Sequence, residues 1–265
     1  MRSLAIVKEM PVTVFFWLLC CTVVYCLSPS RHPTINAPSV LQSDHCVVIS
    51  HGIMGTRHDL DYLASELEKR GVKVLKSVAN ERLKSLRGLA TGGESLATEI
   101  VQFVKANPSL TRLSIVGNSL GGLYARYAMH VLFNVTDGTL AGLKPHRLMT
   151  IATPHLGVRN WTFVEDMFGS LSRAPGLDLI KKLVSKTMLS TGRSVFGFDG
   201  DDNGGKTLLY QMATEEKFLI PLRSFSNRRL YANLQKDFVV PLGTAAFLHN
   251  DAVHDLRKSY GSESG

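Results

Sequence analysis

An apolar run that ends in a glycine-flanked serine is the strongest constraint in this sequence. Residues 113–116 are Leu-Ser-Ile-Val, residues 117–121 are Gly-Asn-Ser-Leu-Gly, and a helix-forming run follows at 123–129. A strand, a sharp turn and a helix are the context that a nucleophile elbow requires. The pattern therefore predicts that Ser119 lies in a strained turn at the end of a strand, where amides of the next helix face its target. A serine cap at an ordinary helix start is the alternative interpretation.

The segments around this serine alternate between strand and helix patterns. Strand patterns lie at 45–50, 72–77 and 147–152, and helical spacing of apolar residues lies at 59–70 and 94–105, the latter opened by Gly92 and Gly93. This alternation predicts an α/β fold, in which a mostly parallel sheet has helices on both faces. The 265 residues are enough for one such domain, which we place at 44–265.

A segment at about 158–222 interrupts the alternation with helical pieces around 161–171, 177–189 and 207–218. An insertion over the carboxyl edge of a sheet is where a lid or an acyl pocket would lie. We therefore expect a lid-like helical insertion, although for any single apolar residue in it a place in the helix core is favoured over a place in a channel.

The N-terminal residues 1–43 are expected to lie outside the domain. Residues 12–27 carry no charge, which indicates either the apolar core of a signal peptide or a short membrane anchor. A linker rich in proline and serine follows. The expected location is therefore membrane-associated or in the secretory pathway, with a membrane surface as a partner.

Composition excludes some function classes. The net charge of +8 comes from scattered basic residues without aromatic interleaving, which argues against nucleic-acid binding. Three of the four cysteines lie in the N-terminal apolar segment, and Cys46 is expected to be a buried thiol. No cysteine and histidine spacing indicates a zinc site, so no metal is expected.

Acyl transfer by a serine requires a nucleophile, a base, a group that orients the base, and donors for the oxyanion. Ser119 is the candidate nucleophile. The loop His-Gly-Ile-Met-Gly at 51–55 follows the first buried strand, and its glycines allow a close approach to the site. We expect the backbone N–H groups of Ile53 and Leu120 to form the oxyanion hole. His51 precedes the serine in the chain and is interpreted as shaping the loop.

Two residues near the C-terminus are candidates for the rest of a triad. Asp237 follows a strand pattern at 230–234, so it is expected at the same sheet edge as Ser119, where it would orient the base. Only His249 and His254 follow it, and His254 is the candidate base. Both could instead be polar positions on a helix at 241–259. The helix and strand that normally lie between the acid and the histidine are also missing here, and a truncated C-terminal portion is one explanation.

A competing motif lies at 200–207, which matches the phosphate-loop formula G-x-x-x-x-G-K-T. Asp201 and Asp202 would repel phosphates, and the strand pattern before them is weak. Tyr210 occupies the twelfth position of a calcium loop, where a carboxylate is needed. A solvated turn is favoured, and no cofactor is expected.

Four segments together resemble the putative serine esterase family DUF676, a group of lipase-like α/β-hydrolases. They are residues 51–55, 117–122, Ala-Thr-Pro-His-Leu-Gly-Val-Arg at 152–159, and Tyr-Ala-Asn at 231–233 with Asp237. The resemblance runs from about 44 to 250 and implies an α/β-hydrolase fold and a cofactor-free lipase or esterase acting on acyl esters, with lipids as the expected class. It carries over Ser119 as nucleophile and Asp237 as acid. The chain departs from the family at Asn118, where the family more often has His, and in lacking a histidine well beyond the acid.

The combined expectation is a serine esterase or lipase that cleaves acyl esters through an acyl-enzyme on Ser119. The alternative is a catalytically inactive or truncated relative that binds a lipid or a protein partner.

Overall fold

Seven strands are present in the computed structural model, which describes residues 44–158, 189–200, 205–234, 237 and 239–261. They are β1 (His45–Ser50), β2 (Lys73–Lys76), β3 (Arg112–Asn118), β4 (Phe133–Asn134), β5 (Thr139–Leu140), β6 (Lys144–Ile151) and β7 (Asn227–Tyr231). β4 and β5 form a separate antiparallel pair, and the other five form one sheet in the order β2-β1-β3-β6-β7.

Helices follow most strands of the large sheet. The α-helices of the described residues are α1 (Asp61–Glu68), α2 (Leu89–Lys105), α3 (Leu120–Leu132), α4 (Leu189–Val195), α5 (Leu208–Thr214), α6 (Glu216–Arg223), α7 (Leu242–Ala246) and α8 (Asn250–Gly261). A short 3₁₀ helix spans Arg82–Leu86.

All neighbouring strands of the large sheet run parallel, so their carboxyl ends meet at one edge. Ser50 of β1 pairs with Gly117 of β3, and Gly117 pairs with Thr150 of β6. Ile151 at the end of β6 pairs with Tyr231 at the end of β7. The loops that follow these four strands therefore lie side by side.

The strand side chains alternate between two cores because successive residues of a strand point to opposite faces. Val48 and Ile115 belong to the larger core, with residues of α2 and α3 such as Leu123. Val47 and Val116 belong to the smaller core, with Ala64 of α1. Helices thus cover both faces, and the predicted α/β-hydrolase fold is confirmed.

Helix α2 begins at Leu89, earlier than its periodicity indicates, so that Gly92 and Gly93 lie inside it. A Cβ at Gly92 would lie 2.6 Å from Cδ1 of Tyr124, and one at Gly93 would lie 2.5 Å from Cβ of Tyr127. The two glycines let α2 approach the tyrosines of α3 closely, which outweighs their low helix propensity.

Cys46 is buried in β1 as expected, and burial raises the pKa of its thiol to about 11. The described parts of the 158–222 segment contain α4, α5 and most of α6, joined by short stretches that are not α-helical. The helical piece expected at 161–171, and all but the last residue of the piece expected at 177–189, lie outside the described residues, so a lid at this position stays a prediction.

The predicted membrane-associated or secretory location requires correction. In the part of the chain that the structure describes, every helix is too short or too polar to span a bilayer. Residues 12–27, on which that prediction depended, lie outside the described residues. The location, and the membrane surface expected with it as a partner, are therefore withdrawn.

Candidate active site

Ser119 occupies the turn between β3 and α3. Its backbone has φ 51° and ψ −125°, a conformation that residues with a side chain rarely adopt. The N–H of Ser119 donates to the carbonyl of Ile151 in β6 at 2.7 Å, which holds the turn against the sheet. The residue is half-buried, in contrast to the buried residues on either side of it. Such strain at an accessible serine is typical of a functional position.

The glycines around Ser119 are required by close packing. A Cβ at Gly117 would lie 2.6 Å from the backbone nitrogen of Gly122, and one at Gly121 would lie 2.5 Å from the carbonyl oxygen of His51. A Cβ at Gly122 would lie 2.6 Å from Cγ2 of Thr153. The turn can therefore form only where these positions lack side chains.

The loop after β1 reaches the same serine. A Cβ at Gly52 would lie 2.9 Å from Cβ of Ser119 and 3.4 Å from its Oγ. The loop closes as a turn in which the N–H of Gly55 donates to the carbonyl of Gly52 at 3.2 Å. Met54 takes the left-handed conformation, with φ 54°, at the third position of this turn. The structure thus brings Ser119 and the glycine loop together.

Two backbone N–H groups in the segments that meet at Ser119 have no hydrogen-bond acceptor among the described residues. They belong to Ile53, which follows Gly52, and to Leu120, the first residue of α3. The first N–H groups of a helix lack intrahelical partners and carry the positive end of its dipole. Both amides could therefore donate hydrogen bonds to a developing oxyanion.

His51 is buried at the end of β1, and its Nδ1 lies 3.0 Å from the carbonyl oxygen of Gly52. A carbonyl only accepts, so Nδ1 of His51 is the donor in this contact. Within the described residues, Nε2 of His51 and Oδ1 of Asn118 are buried without a partner. The contact with Gly52 is consistent with the interpretation that His51 shapes the loop.

Asp237 lies beyond the carboxyl end of β7, on the edge that carries Ser119. Its Oδ2 accepts from the side-chain amide of Asn233 at 2.8 Å. Its Oδ1 accepts from the backbone N–H groups of Val239 at 3.1 Å and Val240 at 2.8 Å. The carboxylate is thus held within its own loop, and its contacts with described residues are local.

The two C-terminal histidines lie far out in solvent. The side chain of His254 on α8 is 79% exposed and its Nδ1 lies 3.8 Å from Asp255. The side chain of His249 is 82% exposed and its Nδ1 lies 3.3 Å from Asp251. Among the described contacts, neither histidine is brought to Ser119 or Asp237.

A buried polar group that the sequence reasoning did not single out lies behind the elbow. Nε2 of His155 lies 3.0 Å from Oγ1 of Thr150, and Nη1 of Arg126 lies 3.4 Å from Nδ1 of His155. Arg126 also donates to the carbonyl of Met212 at 2.7 Å, and Phe247 stacks on the His155 ring at 4.6 Å. The histidine stands in the Thr-Pro-His-Leu-Gly segment, but no periodicity indicates that it is buried.

Burial determines the protonation of this group. It holds the pKa of His155 well below its ordinary value, and the neighbouring Arg126 cation adds to the effect. Burial also lowers the pKa of Arg126 to about 10. At neutral pH, His155 is therefore neutral and accepts from Arg126 through Nδ1.

The phosphate-loop match has a structural role where it is described. Oγ1 of Thr207 accepts from the N–H of Tyr210 at 3.2 Å and caps the start of α5. Oδ2 of Asp199 accepts from the N–H of Leu208 at 3.3 Å. Residues 201–204 lie outside the described residues. The threonine hydroxyl is therefore already engaged by the helix that follows it.

The described residues contain no cluster of three or more histidine, cysteine, aspartate or glutamate side chains that could hold a metal ion.

Comparison with known proteins gives a family match and several relatives. The family described as "Putative serine esterase (DUF676)" matches residues 41–250, well over half of the chain. The putative lipase ROG1 of Saccharomyces cerevisiae is 29% identical over 224 residues, which cover 81% of this chain and 30% of that protein. A second putative lipase of that yeast, YDL109C, is 26% identical over 227 residues, which cover 83% of this chain and 33% of the relative. The chain thus spans about a third of the length of these curated relatives.

Among solved structures, a Bacillus licheniformis lipase in its propeptide form is similar at a TM-score of 0.41 and 15% identity. The match covers 74% of this chain and 37% of that chain. A likeness at this level carries no argument about the site.

Proposed function

The chain belongs to the putative serine esterase family DUF676, and from that premise we propose that it hydrolyses carboxylic acyl esters, with lipid esters as the substrate class, through an acyl-enzyme on Ser119. The observation that supports the proposal most directly is the environment of this serine. Its strained turn lies against Gly52, and the N–H groups of the next residue along each segment, Ile53 and Leu120, have no acceptor among the described residues. The relatives are described as putative lipases, which supports the substrate class.

In the proposed reaction, Oγ of Ser119 attacks the ester carbonyl carbon while a base removes its proton. The carbonyl oxygen becomes an oxyanion that accepts from the N–H groups of Ile53 and Leu120, and one such donor lowers the barrier by roughly 3 kcal/mol. The C–O bond then breaks, the alcohol leaves with the proton, and the acyl group remains on Ser119. Water attacks the acyl-enzyme by the same steps and releases the acid.

Asp237 and His254 complete the proposal. Asp237 would orient the base, and His254 would act as that base. The imidazole of His254 would first have to leave its solvent-exposed contact with Asp255. Because the Asp237 carboxylate accepts from its own loop, one of these local hydrogen bonds would be exchanged for the imidazole N–H.

A second candidate function is a catalytically inactive relative that keeps the site and binds a lipid or a protein partner. The specific observation in its favour is the exposure of His254, which is not engaged with Asp237. In this case Ser119 would lack an activating base and would not turn over esters.

A fluorophosphonate that forms a covalent adduct with activated serines distinguishes the two functions. We expect the wild-type protein to be labelled on Ser119 and to hydrolyse p-nitrophenyl esters. Ser119→Ala should lose both the labelling and the hydrolysis while retaining its fold. Ser65→Ala is a suitable control because its hydroxyl donates to the carbonyl of Tyr62 within α1, away from the site. A folded wild-type protein that is neither labelled nor active would favour the binding function.

A further inference from the structure

Ser85 joins the glycine loop to helices α3 and α4, although it lies on none of the segments that the proposed chemistry uses. It stands in the 3₁₀ helix Arg82–Leu86 between the exposed residues Leu83 and Lys84 and the half-buried Leu86, yet it is itself fully buried. Both its hydroxyl and its carbonyl take part in hydrogen bonds. A fully buried polar residue in a short surface helix requires a specific reason, because burial of a hydroxyl without partners costs free energy.

The hydroxyl of Ser85 holds the glycine loop. It accepts from the N–H of Met54 at 2.9 Å and donates to the carbonyl of Arg82 at 2.6 Å. The N–H of Arg82 in turn donates to the carbonyl of Gly55 at 2.9 Å. The loop that carries Ile53 is therefore attached to the 3₁₀ helix at two successive residues.

The two residues that Ser85 connects are both strained. Met54 has φ 54° and Arg82 has φ 52°, in the left-handed region that residues with a side chain rarely adopt. Such conformations persist only where the surrounding contacts impose them. Through its hydroxyl, Ser85 hydrogen-bonds to the backbone of both residues, so it contributes contacts that hold the turn next to Ile53.

The carbonyl of Ser85 connects the same helix to the elbow. It accepts from the hydroxyl of Tyr124 at 2.6 Å and from the hydroxyl of Thr191 at 2.8 Å. Tyr124 lies on α3, which begins directly after Ser119, and Thr191 lies on α4. Burial raises the pKa of the Tyr124 hydroxyl, so it remains a protonated donor.

We infer that Ser85 is a positioning residue that fixes the glycine loop relative to the elbow helix, and so sets the distance between the two oxyanion donors. Its hydroxyl fixes the loop that carries the Ile53 N–H, and its carbonyl fixes the helix that carries the Leu120 N–H. Small displacements of such donors reduce the rate strongly, since a misplacement of about 1 Å can cost roughly 100-fold. This inference rests on the proposed function.

The test compares Ser85→Ala with the wild-type protein in ester hydrolysis. Loss of the hydroxyl removes the acceptor that Ser85 provides to the N–H of Met54, so we expect kcat to fall about 10- to 100-fold while KM changes less than about twofold. The affinity for a trifluoromethyl ketone, which mimics the tetrahedral intermediate, should fall by the same factor as kcat/KM. The affinity for the corresponding unreactive ether should not change. A residue that only stabilises the fold would lower the melting temperature without this separation.

Matched variants keep the test decisive. Ser224→Ala removes a hydroxyl that also donates to a carbonyl three residues earlier, that of Pro221, but contacts no loop of the site, and it should leave kcat unchanged. Tyr124→Phe removes the other half of the connection and should lower kcat with an unchanged KM, even if Ser85→Ala does not fold. The double variant should lose less than the product of the two single effects, because both act on one connection.

The outcomes separate this inference from the function on which it rests. An active wild-type enzyme whose kcat is unchanged in both Ser85→Ala and Tyr124→Phe overturns the positioning role and leaves the proposed function intact. A wild-type protein without hydrolysis, or with hydrolysis that survives Ser119→Ala, overturns the proposed function and the positioning role with it.

Discussion

At the scale of single residues, Gly121 is the position in the turn around Ser119 where a side chain would be tolerated least. A Cβ there would collide with the carbonyl oxygens of Ser50 and His51, and backbone atoms in a sheet cannot rotate away as a side chain can. We expect Gly121→Ala to lower the free energy of unfolding by about 3 kcal/mol or more. Gly71→Ala is the comparison, because Gly71 has φ 76° and open space around it, so only backbone strain of about 1 kcal/mol applies. Urea unfolding measures both, and equal losses would contradict the packing explanation.

His155 gives a second residue-scale prediction, on the pH dependence of stability. Burial and Arg126 lower its pKa in the folded protein, so below about pH 6.5 the unfolded chain binds a proton that the folded chain does not. The stability that depends on neutral His155 is therefore complete above pH 6.5 and is lost as the pH falls below it. The limiting slope for one such group is about 1.4 kcal/mol per pH unit.

The variant that measures this effect is His155→Gln, which cannot take up a proton beside Arg126. We expect its free energy of unfolding to vary less between pH 6.5 and pH 5 than that of the wild-type protein. His45 titrates in the same direction, since burial lowers its pKa to about 4, so the difference between the two proteins is the relevant quantity. His249→Gln, at an exposed position, is the control. Parallel pH curves for wild type and His155→Gln would contradict the assignment.

At the scale of elements, Thr207 tests whether the Gly-Lys-Thr sequence acts as a helix cap. Its hydroxyl accepts from Tyr210 at the start of α5, and loss of such a cap costs about 1 kcal/mol. Thr207→Ala should lower the free energy of unfolding by that amount, and Thr207→Ser should retain it. Thr214 is the last residue of α5, and its hydroxyl donates to the carbonyl of Tyr210. Thr214→Ala should therefore have little effect on the free energy of unfolding. Denaturant unfolding of the three variants gives the comparison.

The elements that could be predicted from the sequence are those with their own periodicity. The run at 45–50 gave β1 at its predicted bounds, because a buried parallel strand is continuously apolar. The start of α2 at Leu89 could not be predicted, since the pair Gly92 and Gly93 indicates a boundary before the helix unless tyrosines of another helix pack there. The helix expected at 241–259 is divided at Phe247, which takes a left-handed conformation with φ 54° and stacks on His155. Contacts between distant segments determine both the start of α2 and the break at Phe247, and the periodicity of the sequence does not indicate such contacts.

At the scale of the whole molecule, the parallel sheet explains which parts of the candidate site were predictable. The carboxyl ends of parallel strands meet at one edge, so Ser119 after β3 and the glycine loop after β1 had to lie together once the strands were recognised. The same reasoning places Asp237 beyond β7. A base has no such constraint, because its position depends on how a C-terminal helix packs. The role of Ser85 could not be predicted from the sequence either, since it depends on hydrogen bonds to α3 and α4 rather than on any local motif.

Because His254 lies in solvent, its proposed role as the base is the most demanding part of the proposed site to test. If it takes the proton of Ser119, α8 must bring its imidazole from solvent to the sheet edge, and His254→Ala should lower kcat about 10⁴-fold with little change in KM. Added imidazole should restore part of the rate, because the 79% exposed side chain leaves an open approach when it is removed. His249→Ala is the matched control on the same C-terminal segment and should retain full activity. Hydrolysis that survives His254→Ala but not Ser119→Ala would mean that the proton passes to another group, and the nucleophile would then stand without its proposed base.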